Sequence, residues 1–184
     1  MYRSEFYKLY FGFLFILFDF RINGFDILPN IIGYILFAMA LNSLSSCSEY
    51  FSTAGIFTAL MIILSIFTIY VKTGSTGGFD FVNGPFGYLS IIITVLSIIF
   101  TLLVIYNLFQ GIEHMAIKYE KTNLSQEAKD KWKMYITFQI AMLIYFVLAF
   151  MGIPFMLFFL IMFFASIVVM VLMMSFIRKC AEQF

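Results

Sequence analysis

From Phe86 to Gln110 the chain runs for 25 residues without one charged side chain. Wound as a helix, such a run is about 37 Å long. That exceeds the roughly 30 Å hydrocarbon core of a bilayer. A second run, Phe155–Ile177, adds 23 uncharged residues. A water-soluble domain of this size cannot bury both and still cover itself with polar groups. Hydrophobic residues make up 63% of the 184, with 26 Phe and only 11% charged. Soluble domains carry about 25% charged residues. The sequence therefore predicts an all-α, polytopic membrane helical bundle. The whole chain, 1–184, is expected to form one integral membrane domain with no separate soluble part. A net charge of +1 offers no basic face for nucleic acid.

Six apolar segments are read, at about 6–22, 27–44, 55–71, 86–110, 134–151 and 155–177. The last two are separated only by "MGIP", where Gly152 ends one helix and Pro154 sits in the first turn of the next. Lys and Arg accumulate on the cytoplasmic side. With six spans, nine of the 11 basic residues fall on the side of the termini and two, Arg21 and Lys72, on the other. Both termini are thus expected in the cytoplasm. No cleavable leader is expected, because the first apolar run meets charged residues and no small-residue cleavage site.

The stretch "DFRINGFDILPN" breaks the first two segments apart. Asn23-Gly24 is a turn signal, and Gly24 suits a left-handed helix end. Asp26 reads as an N-cap and Pro29 as a first-turn residue of the second helix. Arg21, at the end of the first helix, complements its dipole. Together Arg21, Asn23, Gly24, Asp26 and Pro29 read as a tight corner outside the cytoplasm. Asp19 does not fit that corner, since a carboxylate opposes the dipole in a last turn. Two readings of it stand. Either Arg21 or a polar group on another helix holds it, or it is a functional ionisable group in the membrane.

In the fourth segment Ser90, Thr94, Ser97 and Thr101 repeat at helical spacing. The third carries Gly55, Thr58, Ser65 and Thr68 along a comparable face. Small and hydroxylated residues let membrane helices approach closely. The stripes read as a seam between the third and fourth helices, or as a narrow ligand groove between them. Asp19 and Arg21 complete the speculative ligand-binding set. Asn107, Gln110, Glu113 and His114 read as a polar cap at headgroup level. Adjacent Glu113 and His114 cannot chelate one metal from a regular helix, so no metal site is expected.

Residues 111–133 form the main cytoplasmic loop, with Asn123 and Ser125 as candidate caps, a Glu127–Lys131 helical pair, and Trp132 at the headgroups. It reads as a solvated helix or as a docking surface for a membrane or cytoplasmic partner. Cys47 and Cys180 match neither a redox nor a metal motif, and both are expected to be cytoplasmic and reduced. No catalytic residues are assigned. The chain has no G-x-S-x-G, no P-loop and no nucleophile beside a base. No cofactor is expected.

The run "LFDFRINGFDILPNIIGYILFAMALNSLS", the Gly-rich third loop and "LFQGIEHMA" before a Lys-rich helix resemble a family of small uncharacterised polytopic membrane proteins of Gram-positive bacteria. Asp19, Gly24, Asp26 and Pro29 carry the most specific part. The resemblance implies a bacterial plasma membrane and a multi-pass topology. In size, helix number and orientation the chain also resembles the substrate-binding subunits of energy-coupling-factor transporters. Their A-x-x-x-A docking motif is missing from "FYKLYFGFLFILFDF". The leading expectation is a non-enzymatic membrane protein acting through partners in an accessory, sensing or protective role. A small-molecule binding or transport component is the alternative, and an intramembrane enzyme the third class.

Overall fold

The computed structural model describes residues 2–17, 21–22, 25–26, 30–72, 88–150 and 156–184, with side chains placed at 2–16, 31–65, 92–145, 147–148 and 160–184. Asp19, Asn23, Gly24 and Pro29 lie outside the described residues, as do the side chains of Arg21, Asp26, Thr68 and Ser90.

The fold is all-α. Among the described residues six helices follow in order: α1 Arg3–Leu17, α2 Asn30–Leu44, α3 Glu49–Lys72, α4 Tyr88–Lys118, α5 Thr122–Phe150 and α6 Met156–Gln183. Between α1 and α2 lies a two-residue strand pair, β1 Arg21–Ile22 and β2 Phe25–Asp26, antiparallel with Arg21 opposite Asp26 and Ile22 opposite Phe25. Arg21, read as the end of the first helix, and Asp26, read as the cap of the second, are paired strand residues here. Asn-Gly is a dipeptide favoured both at helix ends and between hairpin strands.

Each helix packs on its neighbour in sequence, and α6 returns to α1. The helices therefore close a ring in chain order, alternating up and down. One pole gathers the start of α1, the α2–α3 turn, the α4–α5 turn and the end of α6. It is referred to below as the near pole. The core lies in the near half: Phe6, Phe37, Phe51, Phe109, Ile112 and Phe176 are all at most 1% exposed. Phe109 of α4 and Phe176 of α6 stack there at 5.6 Å. Away from that pole, large apolar side chains face outward, among them Ile98, Leu143 and Phe164 at 56%, 63% and 62% exposure.

Two close approaches set the packing. A Cβ on Gly33 would lie 2.8 Å from the Gly12 carbonyl oxygen, and one on Gly12 would lie 3.0 Å from that of Gly33. Only hydrogen at both positions lets the α1 and α2 backbones meet this closely. In α4, Gly111 leaves room for the Phe51 ring, 2.7 Å from where its Cβ would stand.

Both near-pole turns are built from local hydrogen bonds. Ser48 caps α3: its Oγ accepts from the Tyr50 amide at 3.4 Å and its carbonyl from that of Phe51 at 3.1 Å. Glu49 follows in the first turn, where a carboxylate suits the dipole. At the end of α4, the Lys121 amide donates to Ala116 O at 2.8 Å and the Glu120 amide to Ile117 O at 3.0 Å. This is a Schellman termination, with Glu120 left-handed at φ 58° where glycine is usual. The Lys121 carbonyl then accepts from the Leu124 and Ser125 amides. Lys121 thus occupies the capping position expected at Asn123 or Ser125. Residues 111–118 prolong α4, and α5 begins at Thr122. The 111–133 segment is a helical hairpin with only 119–121 between its helices.

Candidate functional site

The spacing of charge along the chain builds the first candidate. The stretches 30–48, 50–71, 88–112, 134–150 and 156–177 hold no charged residue. The charges of α1, α4, α5 and α6 fall where those helices approach the near pole. Four are paired across helices: Lys179 with Glu127 at 2.5 Å, joining α6 to α5, and Lys129 with Glu113 at 3.2 Å, joining α5 to α4. Glu127 is thus taken by Lys179, not by Lys131. Lys8 and Arg178 pair within their own helices, with Glu5 and Glu182. Lys121 donates to the Gln183 carbonyl and lies 4.4 Å from the Phe184 ring centre. Among the described residues, Arg3, Lys118, Lys121, Lys131 and Lys133 have no acidic partner within ion-pair distance, and all but Arg3 belong to the α4–α5 hairpin.

Phe184 locks this pole. Its ring stacks on Phe6 at 5.6 Å and meets Tyr119 edge-on at 5.7 Å, while its carbonyl accepts from the Tyr2 amide at 3.3 Å. The Tyr2 phenol is pushed up to about 12, mainly by its hydrogen bond to Cys47 and then by the charges Cys47 and Tyr119 would carry. The Glu127 carboxylate bound to Lys179 holds that ammonium above its ordinary range. Cys47 and Cys180 are free thiols, and both are buried.

The second candidate lies inside the ring. Tyr34 of α2 lies near Thr101 of α4 and within electrostatic range of Tyr135 of α5. Gln139, one turn along α5, donates from Nε2 to the Tyr135 hydroxyl at 2.8 Å. Tyr135 is 9% exposed. Its ring is 6.2 Å from Trp132, which meets Tyr106 at 5.1 Å.

Thr58 and Ser97 turn their hydroxyls back to Ala54 O and Ile93 O on their own helices, both at 2.8 Å. Thr94 is exposed. Gly55 faces α2, where its Cβ would meet only Leu41 Cβ at 3.8 Å. The α3–α4 contact instead carries the Phe57–Phe100 pair at 5.9 Å and Phe51 against Gly111. Thr101 joins the Tyr34 group. The polar cap divides likewise: Asn107 is buried and donates to Leu103 O at 2.8 Å, Glu113 turns to Lys129, and the His114 ring lies 6.4 Å from that of Tyr50. Among the described residues no three His, Cys, Asp or Glu side chains gather as a metal site would require.

Tyr34, Tyr135 and Gln139 were not singled out by sequence, because isolated phenols and amides in apolar helices carry no spacing signal. Among the described residues, two helical stretches, Ile92–Lys118 and Leu160–Gln183, are long and apolar enough to cross a membrane. No protein-family model, curated protein or solved structure matches the chain, so the geometry of its own residues carries the functional reading.

Proposed function

We propose that this chain is a multi-pass protein of a bacterial plasma membrane, with six helices crossing and the near pole in the cytoplasm. It works without chemistry of its own, through a protein partner that meets the α4–α5 hairpin. One observation carries this reading: ionic side chains concentrate at one pole, while apolar side chains face outward over the remaining length. Lipid is the solvent that rewards such a surface. The expected family of small Gram-positive membrane proteins is consistent with it.

The first two helices have 15 residues each, about 22 Å long and short of the hydrocarbon thickness. The strand pair between them extends that arm while pairing its own backbone groups, which a membrane environment demands. On the cytoplasmic side Lys118, Lys131 and Lys133 stand ready for acidic groups on the partner. Trp132 and Tyr106 fix the hairpin at headgroup depth.

The test is a pull-down from membranes in mild detergent, comparing the parent with a Lys118→Glu, Lys131→Glu, Lys133→Glu triple variant. A protein retained by the parent and lost from a correctly inserted variant supports the reading. A parent that retains no protein refutes it.

A further inference from the structure

Helical hydroxyls in this bundle commonly satisfy themselves. Thr53, Thr58 and Ser97 each donate to a carbonyl one turn back on their own helix. Such back-bonding needs no neighbour. Thr137 of α5 differs: it is exposed, and its hydroxyl has no hydrogen-bond partner among the described residues. One turn toward the near pole stands Lys133, exposed and without an acidic partner among them. Residues four apart share a helix face, so the ammonium and the hydroxyl lie one above the other. The same face continues both ways. Toward the near pole it carries the exposed Asp130, where the Gln126 amide donates to one carboxylate oxygen at 3.2 Å and leaves the other to accept. Away from that pole it carries Ile140, Ile144 and Val147, each more than half exposed. From Asp130 the spacings are three, four, three, four and three, a single helical stripe. The Trp132 ring, 5.1 Å from that of Tyr106, sets Lys133 at headgroup depth. From Thr137 to Val147 the stripe runs about 15 Å, half of the roughly 30 Å hydrocarbon core.

We propose that this face of α5 binds a phospholipid with a phosphoethanolamine headgroup, an inference that rests on the membrane reading of the chain. From the near pole inward, the stripe offers a carboxylate, an ammonium, a hydroxyl and one leaflet's length of apolar side chains. The lipid carries, in the same order, an ammonium, a phosphate, an ester carbonyl and an acyl chain. Asp130 takes the lipid ammonium and Lys133 the phosphate, both as charge-assisted hydrogen bonds. The Thr137 hydroxyl donates to the ester carbonyl, and Ile140, Ile144 and Val147 line the chain. Along the helix axis the polar groups are spaced by about 4.5 Å and then about 6 Å. A phosphocholine headgroup has no N–H to give Asp130. A phosphoglycerol headgroup gives it no cation and brings a net negative charge beside it. The tip of the hairpin, with Lys118, lies about 18 Å further from the bilayer and is left to the partner. A partner that reaches down to Lys133 displaces this lipid.

Membranes are first extracted with alkaline carbonate. Release of the protein into the soluble fraction refutes the membrane reading, and the site with it. Protein that stays in the membrane is purified in mild detergent and stripped of lipid. It is then given equal amounts of phosphatidylethanolamine, phosphatidylglycerol and phosphatidylcholine with identical chains, and retained lipid is identified by native mass spectrometry. The expected result is preferential retention of phosphatidylethanolamine. Lys133→Gln and Thr137→Val should each cut that retention about fivefold, the worth of one interfacial lysine or one hydrogen bond. Asp130→Asn should lower it to the level of phosphatidylcholine. All three side chains are exposed, so melting temperatures should stay close to the parent. Equal retention of the three lipids, or a preference for phosphatidylglycerol, overturns the site while the membrane reading stands. So does a phosphatidylethanolamine preference that Lys133→Gln and Thr137→Val both leave unchanged.

Discussion

Gly33→Ala probes the contact on which the α1–α2 pairing depends. In helix interiors alanine is favoured over glycine by about 1 kcal/mol. Propensity alone therefore predicts a more stable protein. The structure predicts the reverse. The new Cβ would stand 2.6 Å from Ile16 Cγ1, 2.8 Å from the Gly12 carbonyl oxygen and 3.2 Å from the Ile16 amide nitrogen. The Ile16 side chain can rotate, but the other two atoms belong to the α1 backbone, so the helices must separate. Overpacking of this kind costs about 1–3 kcal/mol. After the propensity gain, a net loss of up to about 2 kcal/mol remains, or up to about 8 °C in melting temperature for a chain of this size. Gly33→Val should lose more, because its propensity gain is smaller and its branch larger. Gly55→Ala is the internal control, since its Cβ would meet only Leu41 Cβ at 3.8 Å and should keep the gain. Gly12→Ala combined with Gly33→Ala should be less damaging than the sum, because one separation relieves both clashes. The assay is thermal melting in mild detergent, followed by size-exclusion of the surviving fold. A higher melting temperature for Gly33→Ala than for the parent would refute the close backbone crossing.

Glu120→Gly should stabilise the fold by about 0.5–1 kcal/mol, since glycine takes the left-handed position at φ 58° without the Cβ clash; an unchanged or lower melting temperature would argue against the Schellman turn. Both native cysteines should resist a maleimide in the folded protein even after permeabilisation, as Cys47 and Cys180 are 7% and 0% exposed. Cysteines placed at Lys118 or Lys133 should label only after permeabilisation, and rapid labelling in intact cells would invert the proposed orientation. Alkaline pH should weaken the near pole. The Tyr2 phenol is raised when folded, so its contribution is complete below pH 10 and is lost as the pH climbs toward 12. Lys179, also raised, loses its contribution in the same direction. Tyr2→Phe should flatten the alkaline part of a stability–pH curve, and an identical curve would show that the phenol is not coupled to folding.

The apolar runs are properties of the chain alone, and so are the helices they become. Burying a backbone in an apolar medium requires every amide to be paired internally, which a helix does without help from any neighbour. Charges and the Gly152–Pro154 break mark where such runs end, so six helices were legible without coordinates. The grouping of basic residues at one pole follows from counting segments. Finer features depended on which atoms arrive at one place from distant parts of the chain. Gly12 and Gly33 look like scattered glycines until α1 crosses α2. Glu120 carries no turn signal, because the hairpin that holds it left-handed is formed by the docking of α4 on α5. Asn23-Gly24 suits both a helix end and a hairpin, and local chemistry does not choose between them. The polar stripe of α4 reads as a seam or a groove at α3, and its spacing gave no sign that Thr101 lies near Tyr34 of α2. Periodicity reports which residues share a helix face. Only the packing of the closed ring decides what that face meets.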